Sequence, residues 1–155
     1  MLMRAKNFNA EKGIYEPKIQ ERDIVAEIIA RLGFARIKIF KVVENLPTGY
    51  RMSDPGLPDL HGRVPAGYIR NAHTGCVVRH NIAQPVYIEV KRTGEMAKYH
   101  AGGYRSKPKR ERTFQKQEYF INQAREDGCI ACFAESWNEV CDEFARHGIV
   151  LARDK

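Results

Sequence analysis

Val86-Tyr87-Ile88-Glu89-Val90-Lys91 alternates apolar and polar residues with a period of two, the pattern of a β-strand with one face on a core. Val86, Ile88 and Val90 share the core face, and Tyr87, Glu89 and Lys91 share the other. Glu89 and Lys91 then project in the same direction about 7 Å apart. An acid and a base on one strand also fit a solvated sheet edge, so their meaning depends on what else in the chain points at them. Working outward, the nearest companion is Gly56-Leu57-Pro58-Asp59-Leu60. Its acid directly after a proline suits a turn as well as a site.

The chain has 155 residues, 43% of them hydrophobic, enough for one ordinary core and a single domain over 1–155. No run of about 18 apolar residues is present, so no membrane-spanning helix and no membrane partner are expected. Met1-Leu2-Met3-Arg4 leads into polar residues without an apolar stretch, unlike a secretory signal. The four cysteines (Cys76, Cys129, Cys132 and Cys141) are accordingly read as reduced thiols of a cytoplasmic protein. The formal net charge is +7, which favours a polyanionic partner. Between Lys91 and Lys116 there are nine Lys or Arg against two Glu, so this segment holds the whole excess. Arg92, Lys98, Arg105, Lys107, Lys109, Arg110, Arg112 and Lys116 are the candidate nucleic-acid contacts. The bland alternative is a basic loop that merely keeps the protein soluble.

Residues 1–13 lack periodicity and read as a loose arm. Pro17 suits the first turn of a helix. Ile24, Val25, Ile28, Ile29 and Leu32 follow at helical spacing up to Gly33. At about 100° per residue, that stripe is centred within roughly 20° of Glu21, which aims a carboxylate inward. Its partner is either a buried Arg or Lys, or a metal site and its surroundings. Arg36 to Val43 reads as a strand, and 45–58 as a loop delivering Asp59. Residues 67–70 and 76–79 form a hairpin within an insertion spanning 63–84. The segment 92–112 reads as a basic loop low in regular structure, followed by a helix from an N-cap at Thr113 to Asp127, with Gly128 as its stop. Gln117 lies in that helix's apolar stripe, either as a core hydrogen-bonder or as a catalytic group.

Cys129 to Ala134 is an apolar run suited to a buried strand. Residues three apart on a strand face opposite sides, so Cys129 and Cys132 do not chelate one ion. Ser136-Trp137-Asn138-Glu139 is a capping box opening the last helix. Ile149-Val150-Leu151 is a short apolar strand or tail. The sum is an α/β domain with a central mixed β-sheet flanked by helices.

Such a domain offers Glu21, Asp59, Glu89, Lys91 and Gln117 from separate elements, beside a basic segment. Hard carboxylates suit Mg²⁺ or Mn²⁺, and next to a polyanion-binding surface they point to phosphodiester chemistry, with Lys91 stabilising developing charge.

Taken in order, Gly56-Leu57-Pro58-Asp59-Leu60, Ile88-Glu89-Val90-Lys91, and Gln117 with Phe120, Ile121 and Gly128 resemble the PD-(D/E)xK nuclease superfamily. Within it they resemble the virus-type replication-repair nuclease (VRR-NUC) family. Glu21, with Ile24 and Leu32, is similar to that family's N-terminal helix and its acidic residue, and the likeness spans residues 16 to 140. The resemblance implies a restriction-endonuclease-like core and a metal-dependent endonuclease cut leaving a 5′ phosphate. It implies Asp59 and Glu89 as metal ligands, joined by the Val90 main-chain carbonyl, with Lys91 positioning the nucleophile and Glu21 and Gln117 completing the site. Branched DNA such as a Holliday junction is the implied substrate and a homodimer the implied assembly. A flap-, end- or RNA-directed nuclease, or a non-catalytic binding module of the same fold, are the alternatives. The long hairpin insertion and the strongly basic segment after Lys91 depart from the family pattern, which bears on substrate preference. For a dimer, the hairpin and the apolar C-terminal tail are the candidate surfaces, unless they close the chain's own core.

Overall fold

The computed structural model of the chain describes residues 6–9, 14–17, 19–42, 56–70, 77–80 and 83–155. In chain order the elements are β1 (Lys6–Asn9), β2 (Ile14–Pro17), α1 (Glu21–Phe34), β3 (Lys38–Lys41), β4 (Leu60–Val64), β5 (Gly67–Arg70) and β6 (Val77–His80). Then follow β7 (Gln84–Val90), α2 (Glu95–His100), α3 (Pro108–Glu126), β8 (Ile130–Ala134) and α4 (Trp137–Arg146).

Four strands form the central sheet in the order β3-β4-β7-β8. β3 and β7 both run antiparallel to β4, and β8 runs parallel to β7. The sheet is therefore mixed, and the β7-to-β8 return is made through α2 and α3, as a parallel pair requires. β7 is an inner strand covered on both faces. Val86, Ile88 and Val90 join Ile130, Cys132 and Ala134 of β8 in a core closed by Ile24, Val25, Ile28 and Leu32 of α1 and Val140 and Phe144 of α4. On the other face Tyr87, Ala131 and Phe133 pack against Phe120, Ile121 and Ala124 of α3. This α/β arrangement follows from amphipathic helices that each need an apolar sheet face to cover. Complete burial of a side chain such as Ile28 or Phe144 contributes about 1.5–3 kcal/mol. β3 and β4 approach so closely at Gly62 that a Cβ there would overlap the Lys38 carbonyl oxygen, so no larger residue fits without moving the strand.

Several boundaries differ from the sequence reading. Residues 6–9, expected in a loose arm, form β1 and pair with β2; the rest of 1–13 lies outside the described residues. Pro17 ends β2 instead of opening the helix, a place where its missing N–H interrupts no central ladder. The helix begins at Glu21, where the Gln20 N–H donates to Asp23 Oδ2 at 3.1 Å. At its other end α1 runs past Gly33 and stops in a Schellman turn. The N–H of Ile37 bonds the Leu32 carbonyl, that of Arg36 bonds the Gly33 carbonyl, and Arg36 holds the left-handed φ of 59°.

The expected basic loop over 92–112 is largely helical: it contains α2, and α3 starts at Pro108. Proline at the first helical position is preorganised for that start. Thr113, expected as the cap, lies inside the helix and donates from Oγ1 to the Lys109 carbonyl at 3.0 Å. The hairpin is present as β5 and β6, but the insertion is shorter than 63–84, because 63 and 64 belong to β4 and 84 to β7. Ser136 caps α4, accepting from the Glu139 N–H at 3.4 Å, while the Glu139 carboxylate reaches the Glu135 N–H instead of closing the box. Ile149 and Leu151 are buried in the chain's own core without forming a strand, and Ala152 O accepts from Trp137 Nε1 at 2.6 Å. The tail therefore packs its Ile149 and Leu151 into the chain's own core and leaves Val150 exposed. No described helix is long and apolar enough to cross a membrane. Cys129, Cys132 and Cys141 are free thiols, and burial pushes Cys132 up to about 12 and Cys141 up to about 11. Cys76 lies outside the described residues.

Candidate active site

The register of β4 on β7 builds the site. Leu60 pairs with Ile88, so the next step along both strands sets Asp59 beside Glu89. Two cross-strand bonds fix that step. The Asp59 N–H donates to Glu89 Oε2 at 3.1 Å, and the Val90 N–H donates to Asp59 Oδ2 at 3.0 Å. The Asp59 carbonyl in turn accepts from the Val42 N–H at 2.7 Å, tying the turn to the end of β3.

Glu89 is only 1% exposed. Its Oε1 accepts from Lys91 Nζ at 2.5 Å and from Gln117 Nε2 at 2.6 Å. Lys91 and Gln117 are themselves 8% and 5% exposed, so neither a solvated edge nor a surface pair describes them. Lys91 lies one residue past β7, where its N–H bonds the Ala134 carbonyl at 2.9 Å and so prolongs the parallel ladder. Its ammonium sits 4.7 Å over the Phe114 ring, which also stacks with Tyr99 and with Tyr104. Burial pushes the Glu89 carboxyl up to about 8; the Lys91 charge opposes this and the Asp59 charge adds to it. Glu21, at the first turn of α1, is half-buried. Its carboxyl is also raised, first by burial and then by repulsion from Asp59, with the Lys91 charge pulling the other way. The five residues singled out in the sequence, Glu21, Asp59, Glu89, Lys91 and Gln117, thus converge on one electrostatic cluster.

Two features bear on a cation. The carboxyl groups of Glu21 and Glu89 are held above their ordinary range by burial and by the Asp59 charge, a shift that the charge of a divalent ion would oppose. Gln117 Oε1 is a buried acceptor without a hydrogen-bond partner among the described residues, which suits a water of an ion's hydration shell. No three His, Cys, Asp or Glu side chains among the described residues converge tightly enough to cage a metal by themselves.

The basic segment is organised around a residue that the sequence pattern does not single out. Glu95 is buried and accepts from Arg110 Nη2, from Tyr104 Oη at 3.3 Å and from the Arg92 N–H at 3.2 Å. Burial alone would raise its carboxyl, but these donors hold it below the ordinary range. Glu135, at the end of β8, accepts from the Gly94 and Met96 N–H groups at 2.9 and 2.7 Å, clamping the chain just after Lys91. The one signal in the sequence is an acid isolated among many cations. Arg110, packed over Tyr104 at 4.5 Å, therefore belongs to the scaffold as much as to a binding surface. Arg92 also pairs with Glu95, and Lys98 lies 5.1 Å over the Tyr104 ring. Arg105, Lys107, Lys109, Arg112 and Lys116 are exposed. Compared with protein-family models, curated proteins and solved structures, the chain matches none.

Proposed function

We propose that the chain is a Mg²⁺- or Mn²⁺-dependent nuclease with a restriction-endonuclease-like core, acting on branched DNA. The observation that carries this reading is Glu89: a fully buried carboxylate bonded by Lys91 and Gln117 and locked beside Asp59. A buried charge is costly unless it is paired or serves a function. Here several elements of the chain converge on that one side chain, at the mouth of the only strongly cationic segment of the sequence.

Asp59, Glu89 and the Val90 main-chain carbonyl would hold the ion, with Glu21 acting through water. When bound, the ion polarises the phosphoryl oxygen and lowers the pKa of an attacking water. Lys91 supplies a fixed positive charge, steered by Glu89 and Phe114, that stabilises charge developing on the phosphate. Gln117 orients Glu89 and offers its unpaired oxygen to a water. Glu21 keeps the local potential negative, which draws the cation in. On a four-way junction, two copies related by a two-fold axis would meet the two equivalent strands.

The test is cleavage of a panel of linear duplex, single strand, flap, four-way junction and RNA, with Mg²⁺ and with EDTA. The expected result is Mg²⁺-dependent cutting with 5′-phosphate products and a preference for the branched substrates. Binding without cutting on every member would leave a non-catalytic module.

The exposed cations of the basic segment carry a separate expectation. Neutralising Arg105, Lys107 and Lys109 together should weaken binding to all DNA sequences alike. It should also lower the slope of log affinity against log salt by about 0.9 for each phosphate that is no longer neutralised. The Arg110→Ala variant should instead lower thermal stability, because it leaves the buried Glu95 carboxylate short of its main donor. A salt slope unchanged in the triple variant would place the binding surface elsewhere.

A further inference from the structure

We propose that the groove between the Gly56-Leu57 turn and the outer face of α3 is a subsite for an unpaired nucleotide of a DNA strand; its role next to the cut rests on the nuclease reading above. The groove has a volume of about 520 Å³ and is lined by Gly56, Leu57, Arg112, Lys116, Tyr119 and Phe120, among others. Spacings of four, three and one residue put the four α3 side chains on one flank of the helix. The opposite flank, with Phe114, Gln117, Ile121 and Ala124, is buried against the sheet.

Each wall has the chemistry of a nucleotide site. Tyr119 is 69% exposed, a large aromatic in solvent in the middle of a cationic helix face. It makes no hydrogen bond or ring contact among the described residues, so nothing there explains its exposure. Phe120 beside it is fixed edge-on against Tyr87, with ring centroids 5.1 Å apart, and gives the groove a rigid apolar floor. Arg112 and Lys116 stand one helical turn apart on the rim, where they meet backbone phosphates. An exposed aromatic face with flanking cations is the arrangement that binds single strands by stacking, tolerant of sequence because every base has a π-face.

The ligand must be unpaired. A base inside a duplex can offer its face to Tyr119 only after it has left the stack. Position then links the groove to the chemistry. Leu57 precedes Asp59 by two residues, at most about 7 Å of chain, so a nucleotide in the groove is a near neighbour of the phosphate at Glu89 and Lys91. The geometry thus selects substrates in which a duplex meets a single-stranded segment, as at a flap, an overhang or an opened branch point.

Fluorescence anisotropy in EDTA, with the full chain and a labelled oligothymidylate or blunt duplex, reads this without any cutting. The Tyr119→Ala variant should bind the single strand about tenfold more weakly and the blunt duplex as the wild type does. Tyr119→Phe, which keeps the ring, should match the wild type on both. A 2-aminopurine within the oligonucleotide should be quenched by the wild type and by Tyr119→Phe, and not by Tyr119→Ala. Equal single-strand binding by wild type and Tyr119→Ala would overturn the proposal, as would an equal loss on both substrates. The two readings fail separately. Single-strand binding that depends on Tyr119 in a protein that never cuts would keep the subsite and sink the nuclease. Cutting by a protein indifferent to Tyr119 would do the reverse.

Discussion

Glu89→Gln and Lys91→Met are each expected to lower Mg²⁺-dependent DNA cleavage by roughly 10²–10³-fold, the effect of removing one preorganised electrostatic group from a catalytic site. The choice of substitutions follows from the burial of both residues. Alanine at 89 would leave the Lys91 ammonium and the Gln117 amide buried without their acceptor, a loss on the order of 3–5 kcal/mol for a broken buried pair. An inactive alanine variant would then be indistinguishable from a poorly folded one, so its silence would carry little information. Glutamine keeps the volume and an acceptor oxygen at 89, and methionine keeps the apolar stem over Phe114 while removing the charge. Initial rates with Mg²⁺ should therefore collapse, with a smaller fall in the thermal midpoint than alanine at 89 would cause. Asp59→Asn should behave alike, and Gln117→Leu should cost less, since its role is to orient Glu89. A Glu89→Gln protein that cuts at the wild-type rate with the same products would refute the assignment.

Strand β7 and its two charged residues are legible in the sequence for one reason: period-two alternation fixes which side chains share a face. Val86, Ile88 and Val90 read as core, and Glu89 and Lys91 as companions on the other face. What alternation cannot show is that β7 is an inner strand. Glu89 and Tyr87 are covered by α3, so the second face is buried too, and the pair reads as internal only once the strand order is known. Glu21 and Gln117 are legible because a polar residue in the middle of an apolar helical stripe is conspicuous at any boundary. The basic segment escapes such a reading because glycines and prolines punctuate it locally, whereas its helices are held by distant partners. Glu135 meets the start of α2 from the end of β8, and Glu95 gathers Arg92, Tyr104 and Arg110. Side-chain contacts of this kind leave no periodic trace. The Schellman stop at Arg36 escapes for a related reason: Gly33 has the look of the terminator, and tertiary packing of Ile37 carries the reversal to a residue with a side chain.

The metal-free protein should lose stability as the pH rises from about 6 to about 8, by an amount on the order of 2 kcal/mol from Glu89 alone. The sign follows from the direction of the shift. Folding raises the Glu89 carboxyl from 4.5 to about 8, so between those values the folded chain holds a proton that the unfolded chain has released. Stability from this group is then complete below the unfolded value and is lost progressively until the pH passes the folded one. Glu21, raised by burial and by Asp59, acts in the same sense. His61, whose ring is lowered by burial, acts in the opposite sense near its ordinary range, but it is common to every variant compared. The midpoint in EDTA should therefore fall by roughly 5 °C over that interval in the wild type, and the fall should be much smaller in Glu89→Gln. Mg²⁺ should raise the midpoint more at the upper pH than at the lower, because at the lower pH it must first displace the proton from its ligand. Identical pH slopes in wild type and Glu89→Gln would show that the buried carboxylate stays ionised beside Lys91, and that the cluster is a settled ion pair instead of a site held ready for a cation.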